Sequence, residues 1–256
     1  MRIASIQLEI RDGRNKEETI GYALEMMGKA EGSDLILLPE IWNIGFFAYD
    51  QYVAESEPLD GLTATAISQK AKELGAYVYS GSFVENRGGK YYNTSILFDR
   101  EGEKIGEYRK IHLFSYKSRE PEILTPGTEI SVLNTEFGKF GLSTCYDLRF
   151  PELYRAMVDK GAEFFLVTSG WPFPRLSHWL VFNQARAIEN SCFLISCNAA
   201  GVQQGTRFLG HSLIVDPWGV VVAGSAHEER IITADIDPGL VAKTRQEFSA
   251  LRDRVL

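Results

Sequence analysis

Three residues of this 256-residue chain stand where α/β proteins do chemistry, each directly after a short apolar run: Glu40 after LILLP, Lys110 after IGEYR and Cys145 after FGLST. Strand ends are where ligand crevices form in such folds. Taken singly, each has an ordinary reading. A glutamate or a lysine at such a place is usually solvated, and a cysteine is more often a small buried hydrophobe. Together they make a reactive set. A thiol attacks well only once deprotonated, which calls for a base, and a nearby cation stabilises the sulfur anion. Glu40 can take the proton. Lys110 and the backbone N–H of Tyr146, next after the cysteine, can hold a developing oxyanion. These parts suffice for acyl transfer from an amide or nitrile through a thioester.

The elements that must position them follow from periodicity and turn residues. Residues 3–9 read as a strand and 15–30 as an amphipathic helix, followed by the buried strand 35–39 and a helix over 61–74. AYVYSGSFVE, NTSILFD and KIGEYRKI read as strands joined by turns, and 112–129 as a long irregular loop with two prolines. Loops of that length are commonly functional. ISVLNT and KFGLSTC form a hairpin into Cys145. Then come a helix over 151–160, the strand EFFLVTS, a helix over 176–190 and the strand CFLISCNA. LGHSLIVD, VVVAGS and ERIITADID are further strands before a C-terminal helix. Hairpins mixed with single strand–helix alternations do not suit a simple doubly wound sheet. Two mixed sheets packed face to face with helices outside, a four-layer α-β-β-α sandwich, fit better. Residues 1–256 contain no repeat or linker, so a single domain is expected.

Composition narrows the function classes. A net charge of −7 without a long basic block argues against nucleic acid and against an anionic membrane surface. Apolar runs such as LILL and FFLV are too short to span a bilayer. MRIASIQLEI alternates like a strand and lacks the apolar core of a signal peptide. Three widely spaced cysteines do not suggest a disulfide framework. A soluble cytoplasmic protein is the expectation.

Other chemistries are less well served. His112, His178, His211 and His227 are candidate bases for a cysteine–histidine enzyme, but no local cysteine-protease signature surrounds Cys145. His112, two after Lys110, would share its strand face and support the site from behind. Cys192 and Cys197, five apart on a strand, face opposite sides and cannot share a metal. In GWPFPRLSHW, Trp171 and Phe173 are candidates either for a pocket wall or for a subunit interface.

LLPEIW, EYRKIHLF and STCYDLRFPEL, in that order, resemble the three signature segments of the nitrilase superfamily, the carbon–nitrogen hydrolases. The resemblance runs through nearly the whole chain, including SHWLVFNQARAIEN and GHSLIVDPWG. It implies the same α-β-β-α sandwich, a Glu40–Lys110–Cys145 triad, no metal or other cofactor, a small-molecule amide substrate and a homodimer. It also implies a second glutamate shortly before a Pro-Gly turn, the place of Glu120, with Glu122 as the neighbouring alternative. CYDLRFPEL and the WP–HW–QARAIEN region resemble the omega-amidase branch, which hydrolyses the terminal amide of short 2-oxo dicarboxylic acid monoamides. Nitrile or N-carbamoyl hydrolysis, acyl transfer to an acceptor other than water, and a non-catalytic binding member are the alternatives. For a carboxylate-bearing substrate, Arg149 or Arg175 would supply the cation, since a guanidinium fork suits a carboxylate. The competing reading pairs Arg149 with Asp147 or Glu152.

Overall fold

The computed structural model describes residues 1–255. Its first half holds β1 (Arg2–Gln7), β2 (Glu9–Arg11), α1 (Lys16–Gly28), β3 (Leu35–Leu37), α2 (Leu62–Leu74), β4 (Tyr77–Arg87), β5 (Lys90–Phe98) and β6 (Lys104–Arg109). Then follow α3 (Glu120–Ile123), β7 (Val132–Thr135), β8 (Gly138–Thr144), α4 (Pro151–Asp159), β9 (Phe164–Ser169), α5 (Leu176–Asn190) and β10 (Phe193–Asn198). Last come β11 (Ala200–Gln203), β12 (Thr206–Arg207), β13 (Leu213–Val215), β14 (Val221–Gly224), β15 (Arg230–Asp235) and α6 (Leu240–Glu247).

Two six-stranded mixed sheets carry the fold, in the orders β15-β1-β3-β4-β5-β6 and β14-β13-β10-β9-β8-β7. Their central strands β3, β9 and β10 are buried at every position because both faces are covered. Successive side chains of a strand point to opposite faces, so each run divides between two cores. Leu35, Leu37, Phe164, Leu166, Phe193 and Ile195 meet between the sheets. Ile36, Val78 and Ile96 instead face Ile20, Ala23 and Met27 of α1 and Ala64, Ile67 and Ala71 of α2. Phe165, Val167 and Leu194 face Leu153 and Met157 of α4 and Trp179 and Ala187 of α5. Three apolar layers between four structural ones make the expected α-β-β-α sandwich. α1 begins where Asn15 and Glu18 cap each other, each side chain accepting from the other's backbone N–H.

Three local expectations are corrected. The strand expected over 3–9 is two strands: β1 pairs within the first sheet, whereas β2 leaves it and pairs in parallel with β11. β2, β11 and β12 form a third, small sheet absent from the sequence reading; its pairing joins residues about 190 apart, which no local pattern encodes. The loop expected over 112–129 contains the short helix α3. LGHSLIVD yields strand only at Leu213–Val215.

Trp171 and Trp179 are 3% and 0% exposed, and their rings pack against each other inside the protomer. They are therefore unavailable as an interface. Several exposed apolar side chains lie elsewhere, at Val181 and Ile188 of α5, at Trp218, Val220, Val221 and Val222 around the edge strand β14, and at Phe248; Val53, Leu62, Tyr116 and Val202 are exposed at other places.

Candidate active site

Glu40, Lys110 and Cys145 each follow a strand by one to three residues: β3, β6 and β8 respectively. β3 and β6 run the same way in the first sheet, and β8 and β9 run parallel in the second. The exits of β3 and β9 are stitched together across the sandwich. Thr168 Oγ1 donates to the Leu38 carbonyl at 2.8 Å, and the Gly170 N–H donates to Glu40 Oε2 at 2.8 Å. Lys110 directly follows the last residue of β6, so neither it nor His112 lies on a strand face; the shared-face expectation for His112 is corrected.

Lys110 is the hub of a buried charge cluster. Its Nζ donates to Glu40 Oε1 at 2.7 Å and to both Glu120 oxygens at 3.0 Å. Asn93 Nδ2 bridges the same two carboxylates, at 2.8 Å from Glu40 and 3.1 Å from Glu120. The Phe114 N–H adds a third kind of donor to Glu120, at 2.6 Å. Glu122 is exposed and sits beside Arg119, so Glu120 is the glutamate brought to the cluster. Burial by itself would depress the Lys110 pKa, but the Glu120 and Glu40 carboxylates overcome it and hold the ammonium well above the usual lysine value. Burial raises the Glu120 carboxyl, the Lys110 charge lowers it, and Glu40 raises it further; the net direction is upward.

Cys145 opens a five-residue 3₁₀ turn, Cys145–Arg149, and takes a left-handed backbone with φ of +48°. Ile41, next after Glu40, does the same at +41°. A β-branched or other non-glycine residue there costs roughly 1–2 kcal/mol, a strain that persists only where surrounding contacts over-determine it and that clusters at active sites. Burial pushes the Cys145 thiol well up, the Glu40 charge adds to that, and Lys110 opposes it. That direction favours the thiol over the thiolate, with the Glu40 carboxylate close enough to contribute to it. Tyr146 is the second residue of the turn, and the first N–H groups of a helical turn have no partner within it.

Above the thiol lies a narrow pocket walled by Phe46, Phe114, Tyr146, Trp171, Arg149 and Arg175. Trp171 lies in the pocket wall. Arg149 does not pair with either acid suggested for it. Asp147 is engaged by Tyr108 and His112, and Glu152 is exposed on α4. Its guanidinium instead lies 4.9 Å from the centre of the Trp171 ring and 5.3 Å from that of Phe182, with Nη2 3.2 Å from His178 Nδ1. Arg175 lies over Phe114 and Tyr116, and both arginines also line the wider mouth outside. Burial, and then the neighbouring Arg175 charge, lower the Arg149 pKa against the pull of Tyr146.

No histidine lines the pocket at Cys145. His211 and His227 pair with each other at 3.1 Å, and His112 Nδ1 lies 2.7 Å from Asp147. Cys192 and Cys197 belong to different apolar layers, as their spacing required. Asn93, Phe46, Phe114 and Gly170 were missed by sequence reasoning. Asn93 had a weak signal, a polar amide opening the strand-like NTSILF; Phe114 had none beyond its neighbourhood to Lys110.

The carbon–nitrogen hydrolase family model matches residues 2–246. The chain belongs to the carbon–nitrogen hydrolase family. It is 34% identical to the 2-oxoglutaramate amidase of Paenarthrobacter nicotinovorans over 260 residues, covering 98% of this chain and 88% of that protein. It is 35% identical to the 2-oxoglutaramate amidase of Bacillus subtilis over 252 residues, covering 98% and 96%. Among solved structures it is similar to Nit3 of Saccharomyces cerevisiae, a member of branch 10 of the nitrilase superfamily. That match has a TM-score of 0.89 and 30% identity, covering 96% of this chain and 93% of that one. Membership of the carbon–nitrogen hydrolases thus rests on nearly the full length of the chain, and the cysteine amidase reading of Cys145 accords with it.

Proposed function

We propose that this carbon–nitrogen hydrolase is an omega-amidase, releasing ammonia from the terminal amide of a short 2-oxo dicarboxylic acid monoamide. The observation that carries the reading is the site itself: a thiol in the pocket lining with a buried Glu–Lys–Glu cluster beneath it, and two guanidiniums at the rim that meet no carboxylate among the described residues. The names of the two bacterial relatives point the same way.

In this mechanism Glu40 takes the Cys145 proton as sulfur bonds to the amide carbon. The carbonyl oxygen becomes an oxyanion held by the Lys110 ammonium and the Tyr146 N–H. Collapse breaks the carbon–nitrogen bond, and Glu40 returns the proton to the leaving nitrogen, which departs as ammonia. Glu40 then deprotonates a water that attacks the thioester; the carboxylic acid leaves and the thiol is restored. Glu120 holds Lys110 in place and keeps it charged. Arg149, with Arg175 beside it, receives the substrate's distal carboxylate. The chain is acidic overall, but its repulsion is screened beyond about 8 Å at physiological ionic strength, so a guanidinium in contact with the substrate outweighs it.

The test is ammonia release from 2-oxoglutaramate against a neutral amide of equal length; no preference for the acid amide would return the substrate to unknown. The reading extends to a cytoplasmic homodimer. Three buried free thiols suit a reducing compartment, and a second copy would cover the apolar face of α5, β14, Trp218 and Phe248. Light scattering at micromolar concentration decides the latter, a monomer counting against it.

A further inference from the structure

Asp147 is fully buried and makes no part of the pocket wall, yet four donors converge on its carboxylate. Oδ2 accepts from the Tyr108 hydroxyl at 2.7 Å and from the Thr144 N–H at 2.9 Å. Oδ1 accepts from the His112 N–H at 3.0 Å and lies 2.7 Å from His112 Nδ1. A carboxylate only accepts, so Nδ1 is the ring nitrogen that donates. Tyr108 and His112 stand two residues either side of Lys110, and Thr144 stands one before Cys145. Elsewhere in the fold the buried Glu85 carboxylate is met by a guanidinium, from Arg109 at 2.7 Å through two nitrogens. Asp147 meets none. Its charge is satisfied by groups that belong to two catalytic segments coming from different sheets.

We infer that Asp147 is a positioning residue that locks the backbone around Lys110 in register with the Cys145 turn, so that the Lys110 ammonium and the Tyr146 N–H converge on one oxygen atom. Two further observations fit. The left-handed backbone of Cys145 needs outside contacts to hold it, and the Asp147 bond to Thr144 grips the chain just before it. The His112 ring stacks on Phe150 at 3.7 Å, Phe150 meets Tyr146 edge-on, and Tyr146 meets Phe114 edge-on. That row of rings repeats the connection on the pocket side, since Phe114 is the residue whose N–H holds Glu120.

The inference rests on the nucleophile and oxyanion roles proposed above, and the test separates the two. Asp147→Asn keeps the shape but turns one acceptor atom into an NH₂ that faces donors. In the folded variant kcat should fall about a hundredfold, the scale of a misplacement of about one ångström, while KM stays within about twofold because the pocket wall is untouched. Tyr108→Phe and His112→Phe each remove one donor to the same carboxylate. Each should lower kcat, and the double variant should lose less than the product of the singles. A folded Asp147→Asn with near-normal kcat would overturn the inference, as would a loss falling on KM rather than kcat. Should Asp147→Asn fail to fold, full kcat in both peripheral variants overturns it equally. Cys145→Ala is the control: if that variant still turns over, the mechanism itself falls, whereas an inactive Cys145→Ala beside an active Asp147→Asn removes this inference alone.

Discussion

The floor and the rim of the pocket use the same kinds of side chain to opposite ends. At the floor, Glu40, Lys110 and Glu120 are 1%, 1% and 0% exposed, and the one ammonium is shared between the two carboxylates through hydrogen bonds of 2.7–3.0 Å. At the rim, Arg149 and Arg175 face open space and lean on aromatic rings. A buried charge without a partner is too costly to keep, so every floor charge is committed within the protein. A guanidinium over indole and phenyl faces is supported without surrendering its fork. Under the proposed function this difference assigns the chemistry to the floor and the choice of acyl group to the rim.

The sharpest way to break that division is at the floor's thiol. Cys145→Ala should abolish turnover, while the fold survives because the lost sulfur leaves only a small void; activity assays beside a thermal melt check both halves.

Lys110→Met comes next. It should cost orders of magnitude in rate and, by leaving two carboxylates buried without their cation, about 3–5 kcal/mol of stability. The sign with pH follows from Glu120. Its carboxyl already sits above its ordinary value, and losing the Lys110 charge pushes it higher. An acid raised in the native state binds more protons there than in the unfolded chain, so stability falls as pH rises through the interval between the two values. The deficit of the variant should therefore be smaller in mild acid than at neutral pH, as denaturant titrations at the two pH values would reveal. An equal deficit at both would mean that Glu120 does not carry the released charge.

A rim substitution should leave the chemistry alone. Arg149→Lys keeps the charge but loses the fork, and a charge-assisted contact contributes roughly 1.5–3 kcal/mol. The preference for carboxylate-bearing over neutral amides should drop by about one to two decades in kcat/KM, with neutral amides hydrolysed as before. An equal loss on both substrates would place Arg149 with the floor.

The smallest effect is expected where a charge pair has neither role. Lys29, which caps the end of α1, and Glu25 in its last turns lie 2.8 Å apart with side chains 54% and 63% exposed. Exposed pairs of this kind contribute little, and Glu25→Gln should leave both melting temperature and turnover unchanged. A measurable drop would show that burial is not what separates the floor from the surface.

How much of this was legible beforehand differs between the two regions. Glu40, Lys110 and Cys145 could be chosen from sequence because each ends an apolar run, and a strand end is a place as well as a pattern. Glu120 against Glu122 could not be separated, since both are acids in one short segment. The decision came from α3, which turns one carboxylate toward Lys110 and the other to solvent. Arg149 was left between a substrate carboxylate and a structural acid, and the structure pairs it with neither Asp147 nor Glu152, because Asp147 is already held by Tyr108, His112 and Thr144 and Glu152 faces solvent.

Local sequence by itself determined most of the elements and the four-layer stacking, and pointed to Glu40, Lys110 and Cys145, because side-chain periodicity and strand punctuation act over a few residues. Only the tertiary structure decided which groups meet. Asn93 bridging two glutamates, Gly170 anchoring Glu40 from the opposite sheet and Asp147 joining two strand exits are contacts between segments 27 to 130 residues apart. Their geometry depends on how two twisted sheets pack face to face, and that is a property of the whole core rather than of any segment in it.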